Sequence, residues 1–156
     1  MPDQHNAGTF ESAIAYEGGR IRAAAVYCSD GRLGEQFDDF LHNALHLPRY
    51  DRLAVPGGAA CLADHFATYR EGDAVAAQLE FLIEVHQLKR VVLIAHEGCA
   101  FYTDRLRISP IAVPQKQRED LAKAVERVQQ LGPNVVVEAY FARIEGSRIV
   151  FERVEV

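Results

Sequence analysis

Tyr27-Cys28-Ser29-Asp30-Gly31-Arg32 is the stretch on which the reading of this chain turns. It closes an apolar run over residues 21–27, the pattern of a strand covered on both faces. A thiol, a carboxylate and a guanidinium then follow within five positions, and Gly31 lets the chain turn toward a helix. Much later a second stretch has the same grammar. His96-Glu97-Gly98-Cys99 directly follows the apolar run 91–95. Two buried strands, each ending in side chains able to bind a metal, ask to be neighbours.

Working outward, residues 1–19 are polar and glycine-containing, with one brief apolar patch over 13–16, and are expected to form a loose arm or a short helix. Residues 33–47 place Phe37, Phe40, Leu41 and Leu45 at near-helical spacing before Pro48. Residues 53–55 form a short strand stopped by Pro56-Gly57-Gly58, and 59–66 hold at most a helical turn. Asp73 suits the N-cap of a helix carrying Val75, Leu79, Leu82, Ile83 and His86. Residues 102–114 are irregular. Pro114 opens a helix with the stripe Leu121, Val125 and Val128, and Gly132-Pro133 ends it. Residues 135–144 and 148–156 read as strands of a hairpin turning at Glu145-Gly146-Ser147.

Strands alternating with helices predict an α/β fold with a mostly parallel central sheet and flanking helices. The expected order is 2-1-3-4, with the hairpin adding an antiparallel edge strand. One domain over 1–156 is expected, with 1–19 as its arm and 134–156 as its C-terminal hairpin. In such sheets ligands bind beyond the carboxyl ends of the strands, where the order reverses. That point lies between the first and third strands, so Cys28 and His96 should meet there.

The chain has 156 residues, 49% of them hydrophobic and 25% charged, which fits an ordinary globular domain with a sizeable core. A formal net charge of -5 argues against a nucleic-acid partner. Three widely spaced cysteines do not make a disulfide framework and point to a reducing compartment, the cytoplasm. No signal peptide and no membrane-spanning run are expected.

Two thiolates and an imidazole suit Zn2+. Cys28, His96 and Cys99 supply three ligands, and a catalytic zinc keeps its remaining position for water. Asp30 and Arg32 stand beside that position, where the arginine can keep the aspartate ionised and off the metal.

Cys28-x-Asp30-x-Arg32 with His96-x-x-Cys99 resembles the signature of the β-class carbonic anhydrase family, over roughly residues 22–102 and in a compact, divergent form. The resemblance implies zinc ligation by Cys28, His96 and Cys99. It implies an Asp30–Arg32 dyad as the catalytic pair, in which the aspartate orients the activated water or swings in as a fourth ligand. It also implies reversible hydration of carbon dioxide to bicarbonate and a dimeric build; because two thiolates cancel the zinc charge and acidify its water less, the rate is expected to rise toward alkaline pH. The chain departs from the family at Ala100, where glycine is usual, and at Ala54-Val55-Pro56-Gly57-Gly58, which replaces an Arg-Asn-Ala-Gly stretch. The family's long N-terminal helical arm, with its substrate-facing glutamine, has no match.

The remaining candidates read more simply. Cys61 has no partner at ligand spacing and is expected to be packed. His42 and His46, one helical turn apart, are expected on an exposed helix face. His86 is expected at a core boundary, and His65 near the Gly57-Gly58 turn is not assigned a proton relay. Gly57-Gly58 is an anion nest or a plain chain reversal, and Tyr102 lines the pocket or packs. Competing functions are a carbonyl sulfide or carbon disulfide hydrolase on the same zinc, a thiol phosphatase or sulfurtransferase using Cys28, and a catalytically silent zinc-binding or regulatory module.

Overall fold

β1 (Ala23–Tyr27) is buried along its whole length. Its three alanines leave room for helices to approach the sheet from both sides. In the computed structural model, which describes residues 8–156, β1 is flanked by β2 (Asp51–Ala54) and β3 (Arg90–His96), both parallel to it. β4 (Val136–Glu145) pairs parallel with β3, and β5 (Arg148–Arg153) pairs antiparallel with β4 around Gly146 at φ 61°. The sheet order is β2-β1-β3-β4-β5, as the alternation of strands and helices predicts.

Side chains alternate across the sheet. Ala24, Val26, Val91 and Leu93 face one layer, formed by α2 (Tyr69–His86) and α3 (Val113–Leu131), where Leu79, Leu121 and Val128 fill the gap. Ala25, Tyr27, Val92 and Ile94 face the other, packed on Phe37 of α1 (Gly34–Asp39) and on Leu41 just beyond it. Phe40 stacks on Phe151 with ring centroids 4.1 Å apart, which ties the α1 side to the edge strand β5. The chain therefore leaves β1 through a helix on one face and returns to β3 through α2 on the other. That places the switch point between β1 and β3.

Two expectations need correction. α2 begins at Tyr69, one turn earlier than an N-cap at Asp73 requires, after a short turn over Phe66–Thr68. Asp73 sits inside the helix, and its carboxylate accepts from Arg127 of α3 at 3.2 Å. A tertiary partner has taken the side chain that the capping rule reserves for the helix end. His42 and His46 do not share a helix face. α1 widens into a loose turn over Phe40–Ala44, His46 lies beyond it at φ 56°, and His42 stands 5.7 Å from the Tyr50 ring. Of the two forms expected for the arm, residues 8–20 take the loose one, irregular and exposed, while residues 1–7 lie outside the described part. Arg49 holds the end of the arm by donating to the carbonyls of Glu17 and Gly19. His86 lies at a boundary, as expected, 2.5 Å from Asp51. Among the described residues no helix is long and apolar enough to cross a membrane.

The turn after β2 presses hardest on the site. Gly58 has φ 52°, and a Cβ there would lie 2.7 Å from the Cys28 nitrogen and 2.7 Å from the Tyr27 carbonyl carbon. Both are backbone atoms that cannot step aside. Gly58→Ala is expected to lower stability by about 2–3 kcal/mol, since it adds a clash to a left-handed conformation. Gly31, whose Cβ would meet open space, should tolerate alanine within about 0.5 kcal/mol. Urea midpoints of the two variants check this; equal midpoints would show that the Gly58 turn is not constrained.

Candidate metal centre

Cys28 is the first residue past β1, and His96 is the last of β3. Gly98, at φ 72°, turns the chain so that Cys99 comes back beside them. The Cys28 and Cys99 sulfurs are 4.0 Å apart. One ligand atom from each of Cys28, His96 and Cys99 lies within 4.8 Å of the others, and all three residues are buried.

The donor chemistry fits a soft or borderline cation. His96 Nδ1 lies 2.8 Å from the Glu97 carbonyl oxygen, so Nδ1 carries the hydrogen and Nε2 presents its lone pair. Nε2 is buried without a hydrogen-bond partner. An unpartnered buried nitrogen costs about 1–3 kcal/mol, which a coordinated metal would recover. The main chain also favours thiolate. The backbone N–H groups of Gly57 and Asp30 near Cys28, and those of Phe101 and Tyr102 near Cys99, each lower the pKa of the neighbouring thiol. Between the two sulfurs the first proton leaves Cys28. The hydrogen bond from the Cys99 thiol holds the Cys28 pKa down against burial, and that same bond, with burial, pushes Cys99 up. Burial opposes charge on His96, but the neighbouring Cys28 sulfur and the Glu97 carbonyl outweigh this and raise its pKa.

Asp30 and Arg32 form a forked ion pair. Arg32 Nε and Nη2 reach the two carboxylate oxygens at 3.0 and 2.7 Å, and the Arg32 backbone N–H adds a third bond at 3.0 Å. These side-chain bonds, then the backbone one, hold the Asp30 pKa at about 2. The carboxylate faces a cavity of about 820 Å³ that Cys28 also lines. Val55, Pro56, Val75 and Phe101 give that cavity an apolar wall, and Glu71 and Arg105 form an ion pair at 3.1 Å on its rim. Gly57, at φ 81°, lies where any Cβ would enter the Phe101 ring, so the glycine pair serves close packing.

The sequence reading singled out all five of these side chains, and the fold brings them to one end of the sheet. It missed Gln117 and Asp120 of α3, both 1% exposed. Gln117 donates to the His96 carbonyl at 2.7 Å, and Asp120 accepts from the Tyr102 hydroxyl at 2.7 Å. The signal was present: both stand on the helix face that also carries Val113, Leu121 and Ala124, where apolar residues belong. His65 lies 2.6 Å from Asp120, away from the cavity wall.

Comparison with known proteins gives a family and a fold. Residues 19–152 match a family model described as "Putative carbonic anhydrase". The chain is similar to uncharacterized proteins of Rickettsia conorii (24% identity over 127 residues, 78% of this chain and 67% of that protein) and Rickettsia bellii (21% over 125 residues, 78% and 76%). In fold it is similar to β-carbonic anhydrase isoform I (TvaCA1) from Trichomonas vaginalis, with a TM-score of 0.54 at 13% identity over 90% of this chain and 87% of that one. It is also similar to the β-carbonic anhydrase CafA of Aspergillus fumigatus, with a TM-score of 0.53 at 14% identity over 89% and 78%. At such identities the likeness is one of fold.

Cys61 completes the thiol inventory. It lines the same cavity but donates to the Pro56 carbonyl at 3.4 Å, and burial pushes its pKa up to about 11. In a Cys28→Ser, Cys99→Ser double variant it is the one thiol left of three. Alkylation by iodoacetamide at pH 8 should then be at least about 100-fold slower than for free cysteine, rise with pH toward about 11, and become normal in urea. Fast labelling of the folded variant at pH 8 would contradict this placement.

Proposed function

From the membership of this chain in the family of putative carbonic anhydrases, we propose that it is a zinc enzyme for the reversible hydration of carbon dioxide to bicarbonate. The observation that carries the reading is the convergence of three ligand atoms within 4.8 Å, one of them a buried imidazole nitrogen with no other partner. Cys28, His96 and Cys99 would hold the metal. When bound, Zn2+ supplies a Lewis acid that acidifies water toward neutral pH.

The protein's own groups do the rest. Arg32 keeps Asp30 ionised, so the carboxylate is a permanent acceptor that can orient a water by its hydrogen. The fork also occupies both carboxylate oxygens, which restrains Asp30 from swinging onto the metal. The wall of Val55, Pro56, Val75 and Phe101 offers an uncharged, apolar substrate a dry approach to Cys28 and Asp30. A charged product gains little from such a wall and returns to solvent.

A homodimer is part of the proposal. β2 is a sheet edge with unpaired backbone groups, and Phe81 and Val85 of the neighbouring α2 are more than half exposed. Sedimentation equilibrium should give a dimer at micromolar concentration; a monomer there would remove this part.

Metal analysis should find one zinc per chain in the wild type and a substoichiometric amount in Cys99→Ser. Stopped-flow hydration of carbon dioxide should be zinc-dependent. Asp30→Ala should keep its zinc but lose at least about 100-fold in kcat, the size of a positioned acid–base group. Zinc-loaded protein that is inert to carbon dioxide but hydrolyses carbonyl sulfide or carbon disulfide would replace the substrate. Inertness to all three would make the chain a zinc-binding module, and full activity of metal-free protein on a phosphate ester or thiosulfate would put Cys28 in the role of nucleophile.

A further inference from the structure

α3 carries two polar side chains in a stripe that otherwise packs the core. Gln117 and Asp120 are each 1% exposed, and a buried amide or carboxylate is tolerated only for the partners it holds. Three residues apart on a helix, they lie on one face. Their partners are the two ends of one metal-binding stretch. The Gln117 Nε2 donates to the main-chain oxygen of His96 at 2.7 Å. Asp120 Oδ2 takes the Tyr102 hydroxyl at 2.7 Å and faces His65 Nε2 at 2.6 Å, while Oδ1 has no hydrogen bond and lies 3.8 Å from Lys116 Nζ. Tyr102 is itself buried, and its backbone N–H donates to the Cys99 carbonyl at 3.1 Å.

The stretch between these grips needs holding. Gly98, at φ 72°, has no side chain to brace the turn and nothing within 4 Å of where a Cβ would stand, so the spacing of His96 and Cys99 relies on the elements around the loop. Glu97 anchors only the β4 side, through the Ile144 N–H at 2.6 Å.

We propose that Gln117 and Asp120 are positioning residues of the metal centre, α3 acting as a splint that fixes His96 Nε2 against Cys99 Sγ and so sets affinity and coordination geometry for a divalent cation. The inference rests on the reading of Cys28, His96 and Cys99 as ligands. It predicts that Gln117 and Asp120 act on metal binding itself and do not merely support the fold.

The test measures zinc affinity by competition with a chromophoric chelator and records the visible spectrum of the cobalt(II)-substituted protein. Gln117→Leu, Asp120→Leu and Tyr102→Phe should each weaken zinc binding by about 10-fold or more, the range for partners that orient metal ligands. They should also shift the cobalt d–d bands. Tyr102→Phe removes one oxygen and keeps the ring, so it remains informative should an α3 variant fail to fold. Asp120→Asn, which keeps an acceptor for Tyr102, should stay within about threefold of wild type, well short of that 10-fold loss. Val128→Ala, a core change on the same helix that touches neither ligand stretch, should lower the melting temperature and leave affinity and spectrum unchanged. Wild-type affinity and spectrum in Gln117→Leu and Tyr102→Phe, or an equal loss in Val128→Ala, would overturn the proposal. Wild-type protein that binds neither zinc nor cobalt would instead remove the metal reading on which it rests.

Discussion

The structure depends on one adjacency: the ends of β1 and β3, joined by no short connection, lie side by side with two sulfurs 4.0 Å apart. Unbridged thiols and an imidazole gathered in an apolar layer are costly company, because each charged form loses its water. The fold meets this with main-chain donors. Amides of Gly57, Asp30, Phe101 and Tyr102 near the two sulfurs lower their pKa values, and the Glu97 carbonyl fixes the imidazole tautomer. The glycine turn after β2 is part of the same arrangement, since only a residue without a side chain can lie so close to the backbone at Cys28.

The helices divide the work. α1 and the loose turn after it close the face that holds Phe37 and the aromatic contact to β5. α2 and α3 close the other face, and both reach the carboxyl end of the sheet. α2 contributes the cavity wall at Val75 and the rim at Glu71. α3 contributes no cavity wall there; it bonds from behind to the segment that bears His96 and Cys99. Packing on this side therefore serves the site as well as the core.

Much of this was legible in the chain because it is local. Strand 1 and strand 3 announce themselves as apolar runs, the chemistry follows each within a few residues, and Asp30 and Arg32 are two positions apart. The α/β class followed from the alternation of strands and helices, and the order 2-1-3-4 was the arrangement that puts both motifs at one switch point. What escaped was tertiary. Asp73 has the chemistry of a helix cap, but Arg127, 54 residues away, takes its carboxylate and α2 starts earlier. His42 and His46 carry helical spacing, yet the helix loosens at Phe40 before it can place them. Gln117 and Asp120 were hidden for the opposite reason: a search for apolar stripes passes over polar residues on the inward face, and their purpose shows only once His96 and Tyr102 are beside them.

The Asp30–Arg32 fork has a consequence of its own. It is closed within three consecutive residues, with the arginine largely in solvent, and owes almost nothing to the packing of the domain. The Cys28–His96–Cys99 triangle is its opposite, a long-range assembly that exists only while two distant segments stay in register. Over evolutionary time the two halves of the centre thus answer to different pressures. Drift in the core and helices erodes the triangle while leaving the fork untouched, so relatives of this chain that keep an Asp-x-Arg pair beside a broken triangle are an expected product of divergence.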